Sequence, residues 1–242
     1  MRRAASLDGQ LDIDYGVTLA NTCLVVGGGT AVRRSYQSKL RTEQARRTRR
    51  RVLKAAAKIF LDRGYAAATM RVIAAEAKVS VPTVELLFGT KARVLKAAID
   101  VAIAGDDEPV SVLDRHWTRA VLQAETADEF LSIVAGVIGS VQTRSAGLVL
   151  AVFEGSSTDA ELSELSAQMI AQRVTTAEWL VDALSRKAAL RKGYTKQEAV
   201  DTWWVLMDPA IFDRLTGHRG WTLERYQRWF AQSARHLLID DS

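Results

Sequence analysis

Basic side chains are concentrated in one short stretch of this 242-residue chain. Between Arg33 and Lys54 there are ten lysine or arginine residues and a single acid, Glu43, which gives the stretch a net charge of +9. The whole chain carries only +5, so the remainder is slightly acidic. A local basic block of this kind attracts a polyanion, and nucleic acid is the commonest one. A solvated, basic start of a helix explains the same charges, so the block alone leaves both interpretations open.

Acid–base and metal chemistry have weaker support in the sequence. His116 follows Asp114, and Glu161 precedes Glu164 by three positions, but neither pair lies in a motif with a nucleophile or an oxyanion donor. Solvated helix faces explain both pairs. The single cysteine, Cys23, and three scattered histidines show no metal-ligand spacing. We therefore expect neither a metal nor a cofactor, and an enzyme is the least favoured function.

From residue 44 onward, apolar side chains recur with the period of an α-helix, which predicts an all-α fold. Residues 1–43 lack this period and are expected to form a disordered extension with a basic arm, of which residues 1–38 are dispensable. No segment reaches the roughly 20 apolar residues of a membrane span, so we expect a cytoplasmic protein without a membrane partner. Beyond a boundary near residue 105, helices are predicted over 112–124, 127–141, 144–154, 159–190, 196–214 (kinked or broken at Pro209) and 222–239.

Residues 69–90 combine helix starts and stops at close spacing. Thr69, Ser80 and Thr90 are side chains that cap helix N-termini, and each precedes a helical pattern. Pro82 falls in the first turn of the middle helix, where its missing N–H costs nothing, and Gly89 ends that helix. The middle helix has about two turns, too few to be stable alone. A helix, a short turn and such a supported helix form a helix-turn-helix, whose second helix enters the major groove of DNA.

The stretch from about 45 to 105 resembles the DNA-binding domain of the TetR family of bacterial transcriptional regulators. The resemblance implies a DNA-binding domain over 44–105, with three helices and a fourth connecting helix, and a larger helical ligand-binding and dimerisation domain over 106–242. The residues that match the family pattern at the same spacing are Phe60, Gly64, Tyr65, Thr69, Ile73, Ala74, Ala77, Val79, Ser80, Thr83, Phe88, Lys91 and Leu95.

The resemblance also implies which residues meet DNA. Backbone contacts are expected from the arginine arm and from helix N-termini, and base contacts from the outward face of the short helix. The backbone set is Arg46, Arg47, Arg50, Thr69, Arg71, Ser80 and Lys91, and the base-facing set is Val81, Pro82, Thr83, Glu85 and Leu86.

Two residues depart from the family pattern. Lys78 stands where the turn usually has glycine, which would place a side chain at a left-handed position. Glu85 stands where the family has tyrosine. A carboxylate either accepts a hydrogen bond from cytosine N4 or is repelled by phosphate, in which case DNA binding is weak or lost.

The second domain is expected to hold a ligand pocket and a subunit interface. Large, adaptable side chains on its middle helices are the pocket candidates, although ordinary core packing explains them too: Phe153, Met169, Trp179, Trp203 and Met207. The last two long helices carry a surplus of apolar side chains, for which the resemblance implies a dimer interface and burial within one subunit is the alternative: Trp204, Tyr226, Trp229 and Phe230.

These features predict a ligand-responsive transcriptional regulator. We expect a homodimeric repressor that binds a pseudo-palindromic, double-stranded DNA operator and is released by a small molecule, whose chemical class the sequence does not indicate. The alternative is a helical interaction protein that has kept this fold and lost DNA binding.

Overall fold

The computed structural model of the chain describes residues 31–105 and 116–240, with side chains from residue 41 in the first range and from residue 117 in the second. Within these ranges the chain is helical, and the only β-type pairing is an isolated bridge between Leu190 and Ile239. The predicted all-α fold is confirmed. The helices are α1 (Ala31–Ala67), α2 (Met70–Glu76), α3 (Val81–Phe88), α4 (Lys91–Ala104), α5 (His116–Gln123), α6 (Ala127–Gly155), α7 (Ala160–Ser185), α8 (Lys196–Leu206), α9 (Pro209–Asp213), a π-helical turn (Arg214–His218) and α10 (Leu223–Leu238).

The first helix is longer than the sequence predicted. Residues 31–43 were expected to be disordered but continue α1 toward the N-terminus, and residues 1–30 of the predicted extension lie outside the described residues. At the other end, Gly64 was expected to end the helix. Its backbone does leave helical geometry (φ 71°, ψ 171°), a left-handed φ that glycine adopts readily, and the helix then resumes as far as Ala67.

Two other predicted limits differ from the structure. The segments 127–141 and 144–154 form one continuous helix, α6. A polar side chain between the two predicted segments is accommodated inside the helix, because the hydroxyl of Thr143 donates to the carbonyl of Gly139, one turn earlier, at 2.8 Å. The predicted helix over 159–190 ends at Ser185 instead. By contrast, the predicted break at Pro209 is present, since α8 ends at Leu206 and Pro209 begins α9.

Side-chain caps fix the starts of the three helices around the predicted helix-turn-helix. Thr69 Oγ1 accepts from the backbone N–H of Val72 at 3.2 Å, which starts α2. Ser80 Oγ accepts from the N–H of Thr83 at 3.3 Å, which starts α3. The side chain of Thr90 accepts from the N–H of Arg93, which starts α4. Because α2 and α3 have only seven and eight residues, these caps satisfy a large share of their backbone donors.

Two apolar clusters form the interior, and α6 belongs to both. The first cluster joins α1–α4 to the second half of α6 and the start of α7, with Phe60 and Val152 buried at its centre. The second cluster is built from α5–α10 around Phe130, Trp203 and Phe230. The first four helices are therefore packed directly on the central helix of the second domain, through α1 and α4, rather than connected to it by a linker alone.

Helix α6 is long and apolar enough to cross a membrane by length and composition, so the expectation that no segment qualifies was wrong. It is nevertheless the central helix of the fold. In the apolar stretch that meets the criterion, 44% of the residues are buried inside the subunit. Core helices of water-soluble proteins reach this composition when they are covered on several sides, as α6 is by α1, α4, α7 and α10.

Close packing around α6 depends on glycines. A methyl carbon added at Gly155 would lie 2.5 Å from Cδ1 of Leu162 and 3.3 Å from Cδ1 of Tyr65. Leu162 is fully buried and Tyr65 is nearly so, which leaves neither side chain room to move. At Gly136, earlier in the same helix, an added methyl carbon would meet no atom within 4 Å.

We predict that Gly155→Ala lowers the free energy of unfolding by about 1–3 kcal/mol, because it overpacks a filled site. The matched substitution Gly136→Ala should raise it by up to about 1 kcal/mol, since alanine restricts the unfolded chain and meets no obstacle in the helix. Urea denaturation of both variants measures the two values. Equal effects at the two glycines would contradict this account of the packing.

Candidate nucleic-acid interface and ligand cavity

Helix α3 is held from behind by the first apolar cluster. Val84 is fully buried and Phe88 is 8% exposed, while Val79 and Leu87 are partly buried against the same cluster. These four side chains form the inward face of the turn and of α3. A helix of eight residues thus acquires a fixed orientation from its neighbours, which it needs in order to present its other face to a groove.

The outward face of α3 is apolar with one charge. Pro82 and Glu85 are exposed, and Leu86 is 87% exposed, the most of any large apolar side chain in the described residues. Pro82 and Leu86 are four positions apart and so share one side of the helix. This face can offer van der Waals contact with thymine methyl groups, and Glu85 can offer an acceptor to cytosine N4.

Two of the predicted base-facing residues are less available than expected. Val81 is half-buried and packs against the first apolar cluster, because it lies in the first turn of α3 next to the preceding loop. The hydroxyl of Thr83 lies 2.7 Å from that of the capping residue Ser80, so the two hydroxyls share a hydrogen bond. The accessible part of the helix is therefore centred on Pro82, Glu85 and Leu86.

The turn between α2 and α3 contains the left-handed residue predicted at position 78. Lys78 has φ 54°, and it is the only residue other than glycine with positive φ in the described part of the chain. A side chain in this conformation costs about 1–2 kcal/mol relative to glycine. The Lys78 side chain is exposed and adds a positive charge beside α3, the recognition helix of the helix-turn-helix.

The arginine arm is the exposed N-terminal part of α1. Arg46, Arg47 and Arg50 are all exposed there, and the one acid of the block, Glu43, pairs with Arg47 at 3.3 Å. The guanidinium carbon of Arg49 lies 4.8 Å from the centre of the Phe88 ring, at the end of α3. Arg49 was not among the predicted site residues, yet this contact ties the arm to the recognition helix.

The N-terminus of α2 agrees with a backbone contact, and that of α4 does not. Thr69 and Arg71 are exposed at the start of α2, where the helix dipole favours an anion. Lys91 was predicted to serve α4 in the same way. Instead its Nζ donates to the backbone carbonyl of Tyr65 at 2.9 Å and lies 3.8 Å from the centre of the Tyr65 ring. Burial lowers the pKa of Lys91, which is consistent with an inward position.

A pair of side-chain hydrogen bonds joins this domain to the start of α7. The hydroxyl of Tyr65 donates to Oδ2 of Asp159 at 2.7 Å, and the hydroxyl of Thr90 donates to Oε2 of Glu161 at 2.5 Å. Asp159 also caps α7 by accepting from two backbone N–H groups. The hydrogen bond from Tyr65 is the largest influence that holds the pKa of Asp159 below its ordinary value. Burial, followed by the hydrogen bond to Asp159, raises the pKa of Tyr65.

The second domain contains a partly open cavity of about 180 Å³ between α5, α6 and α7, and Ile103 of α4 also lines it. Three of the five predicted pocket residues line it, namely Met169, Trp179 and Met207. The other two do not. Trp203 is fully buried against Phe230. Phe153 packs instead with the first apolar cluster, beside the DNA-binding domain.

The cavity wall also contains polar residues that the sequence reasoning missed. Gln142 is 8% exposed, and its Nε2 donates to the carbonyl of Met207 at 2.8 Å. Arg173 is the one charged side chain among the described lining residues, and it pairs with Asp208 at 3.1 Å. A signal was present, because Arg173 falls four residues after Met169 and so interrupts an apolar stripe of α7.

Two of the predicted interface residues are internal to the subunit. Tyr226 and Phe230 have no exposed surface and belong to the second apolar cluster, in which Tyr226 packs on Phe212. The alternative of burial within one subunit is correct for this pair, because α10 packs along α6. Trp204 and Trp229 are half-buried and keep part of their surface accessible.

Comparison with known proteins places this geometry in a family. Residues 52–98 match the sequence model for "Bacterial regulatory proteins, tetR family", and this range contains the whole helix-turn-helix and most of α4. The match is confined to this N-terminal part of the chain, and the matched family is one of regulatory proteins. No curated protein sequence matches the chain.

Solved structures of bacterial regulators share the fold along most of the chain. NalD, the secondary repressor of the MexAB-OprM multidrug efflux pump in Pseudomonas aeruginosa, is 18% identical with a TM-score of 0.59 over 81% of this chain and 99% of its own. A transcriptional regulator from Saccharomonospora viridis in complex with choline is 18% identical, with a TM-score of 0.58 over 79% and 97%. The fatty acid degradation regulator FadR from Bacillus halodurans is 15% identical, with a TM-score of 0.58 over 76% and 92%. At these identities the likeness is one of fold.

We predict that Tyr65→Phe lowers the free energy of unfolding by about 1 kcal/mol at neutral pH, because it removes the hydrogen bond to Asp159. The folded-state pKa of Asp159 is below the ordinary value of 3.8. The stabilisation that its ionised carboxylate gives the folded protein is therefore complete above pH 3.8 and is lost as the pH falls through the lowered pKa. The difference in the free energy of unfolding between wild type and variant should therefore become smaller in acid. Denaturation series at several pH values measure it.

Tyr194 provides the control, since its hydroxyl has no hydrogen-bond partner among the described residues. Tyr194→Phe should change the stability little and equally at every pH. A Tyr65→Phe effect that is independent of pH would show that the Asp159 contact contributes nothing.

Proposed function

We propose that this protein is a regulator of the TetR family, a cytoplasmic, ligand-responsive repressor that binds a pseudo-palindromic DNA operator as a homodimer and is released by a small molecule. The observation that carries the proposal is the outward face of α3, where Leu86 is 87% exposed on a helix that the core holds in a fixed orientation. The fold of NalD, a repressor, and of a regulator in complex with choline supports the same function.

Affinity and sequence preference come from different parts of the surface. The exposed arginines of α1, together with Arg71 at the start of α2, supply the charge that attracts phosphates. Pro82 and Leu86 supply apolar contact with thymine methyl groups, and Glu85 supplies an acceptor for cytosine N4. Glu85 lies beside a basic surface, which offsets its repulsion by phosphate.

Ligand control has a direct mechanical route through α4. The C-terminal end of α4 forms part of the cavity wall through Ile103. Arg144 of α6 holds that end by donating to the carbonyls of Ala102, at 2.8 Å, and of Ile103, at 3.3 Å. The other end of α4 follows the recognition helix after Gly89. A ligand that moves Ile103 therefore moves the helix on which α3 rests, and two bound subunits lose their matched spacing.

The second candidate function is a helical interaction protein without DNA binding, and Glu85 on the recognition face is the observation that favours it. Titration of the full chain against the DNA upstream of its own gene separates the two functions. A repressor should bind tightly at low salt and lose affinity steeply as salt rises, because bound phosphates release counterions. Fluorescence anisotropy with labelled DNA gives both the affinity and the slope, and binding no stronger than to unrelated DNA at any salt would support the second function.

Substitutions on α3 test base reading. We predict that Leu86→Ala and Glu85→Gln each weaken discrimination at one position of a half-site by about 1–3 kcal/mol and leave the fold intact, since both side chains point to solvent. Arg46→Ala should instead weaken binding to every sequence alike. Selection from an operator library measures the preference of each variant. If Glu85→Gln and Glu85→Tyr tighten binding uniformly without altering preference, Glu85 repels phosphate and does not read a base.

The dimer is expected on the accessible apolar surface of α8 and α10. Val205 is 49% exposed, and its neighbour Trp204 and Trp229 of α10 are half-buried. We predict that Val205→Glu yields monomers and weakens operator binding, because the interface would have to bury a charge. Leu122→Glu is the matched control, since Leu122 is 46% exposed on α5. Light scattering measures the oligomeric state of both variants. If the Val205→Glu variant remains dimeric, the interface lies elsewhere.

A further inference from the structure

The charge of the ligand cavity is balanced before any ligand enters. Arg173 is the only charged side chain among its described lining residues, and Nη2 of Arg173 lies 3.1 Å from Oδ2 of Asp208. Both side chains are mostly shielded from solvent, with 17% of Arg173 and 28% of Asp208 exposed. Asp208 is held in place because its other oxygen accepts from the N–H of Ala210 and starts α9. The carboxylate is thus a fixed counter-charge rather than one that a ligand displaces.

The guanidinium of Arg173 nevertheless has unused hydrogen-bonding capacity. Its Nη2 serves Asp208 and the carbonyl of Trp204, at 2.8 Å, while the buried Nε has no partner among the described residues. Burial lowers the pKa of Arg173, and Asp208 opposes that shift. Arg173 lines the cavity and 17% of its side chain is exposed, so a ligand acceptor can approach this side chain and gain a charge-assisted hydrogen bond.

Several other polar groups in the wall already have partners inside the protein. The hydroxyls of Ser145 and Thr176 donate to carbonyls of their own helices, at 2.9 Å each. Gln142 donates to the carbonyl of Met207. The rest of the surface is mainly apolar, including the rings of Trp117 and Trp179. Arg173 is the only charged donor among the described lining residues, so it can make the strongest hydrogen bond to a ligand.

The size of the cavity limits the ligand to a small molecule. Its volume is about 180 Å³. For comparison, an apolar cavity of about 150 Å³ holds one benzene molecule. A ligand with one ring and a short substituent fills such a space without displacing the tryptophan side chains.

We propose that the cavity binds an uncharged, largely aromatic or apolar molecule that carries one hydrogen-bond acceptor, directed to the guanidinium of Arg173. Because the Arg173–Asp208 pair has no net charge, a ligand carboxylate or ammonium would be buried without a counter-charge, which is strongly unfavourable. This inference rests on the proposed function, in which the cavity is the ligand site, and it adds the chemical class of that ligand.

Four probes of similar shape test the class. Acetophenone is neutral with an acceptor, cumene is neutral without one, benzoate is an anion and phenyltrimethylammonium is a cation. Calorimetry, supported by the fluorescence of Trp117 and Trp179, measures binding of each to the full chain. We expect acetophenone to bind about tenfold or more tightly than either ion and several-fold more tightly than cumene.

A double substitution tests the role of Arg173. Arg173→Met with Asp208→Asn removes the ion pair without leaving an unpaired charge, and asparagine still caps α9. This variant should keep its affinity for cumene and lose the preference for acetophenone. Gln142→Met is the matched control in the same wall and should retain that preference. Thermal unfolding of both variants confirms that they are folded.

Each result supports or overturns the proposal. Tighter binding of benzoate or phenyltrimethylammonium than of acetophenone, or no binding of any probe, overturns it, as does an undiminished acetophenone preference in the double variant. Operator binding is measured separately, with and without acetophenone. If acetophenone binds as expected but leaves the operator affinity unchanged, the ligand class holds and the proposed release of DNA fails. If the operator binds while no probe does, the regulator function holds and this inference fails.

Discussion

Packing against α6 is the constraint on which the rest of the structure depends. This single helix forms the wall of the ligand cavity, the support of the DNA-binding domain and the surface on which α10 lies. Such different neighbours can approach it only because glycines remove side chains where contact is closest, as at Gly139 against α10 and at Gly155 against Tyr65 and Leu162. Both halves of the protein therefore share one rigid element, and neither has a core that is independent of the other.

This shared element explains how a small cavity can influence a distant helix. Helix α4 is fixed near the cavity by Arg144, and near α3 by the hydrogen bond between Thr90 and Glu161. Tyr65 adds a third connection, because it packs on α6 and also donates to Asp159. The regulatory coupling proposed above is thus a matter of a few named contacts between α4, α6 and α7 rather than a diffuse property of the fold.

Local signals predicted the DNA-binding domain well, and long-range packing limited the rest. The start of α3 follows from the cap formed by Ser80, and the exposure of Leu86 follows from helical spacing, both of which act within a few residues. The inward position of Lys91 depends on Tyr65, which lies 26 residues earlier, and no periodic pattern encodes it. Likewise the surplus apolar face around Tyr226 could be covered by a second subunit or by the same chain, and only the fold decides between them. Arg173 was visible as an interruption of an apolar stripe, but its pairing with Asp208 was not.

The composition of α6 has a consequence for synthesis of the protein. When this apolar helix leaves the ribosome, two of the elements that cover it, α7 and α10, have not yet been made. Until Leu238 has emerged, the side of α6 that packs on α10 stays uncovered, and α6 is long enough to enter a bilayer. We therefore expect chaperones that bind apolar segments to contact this chain during translation. A ribosome that stalls before α10 releases a fragment that is prone to aggregate, even though its DNA-binding domain is complete.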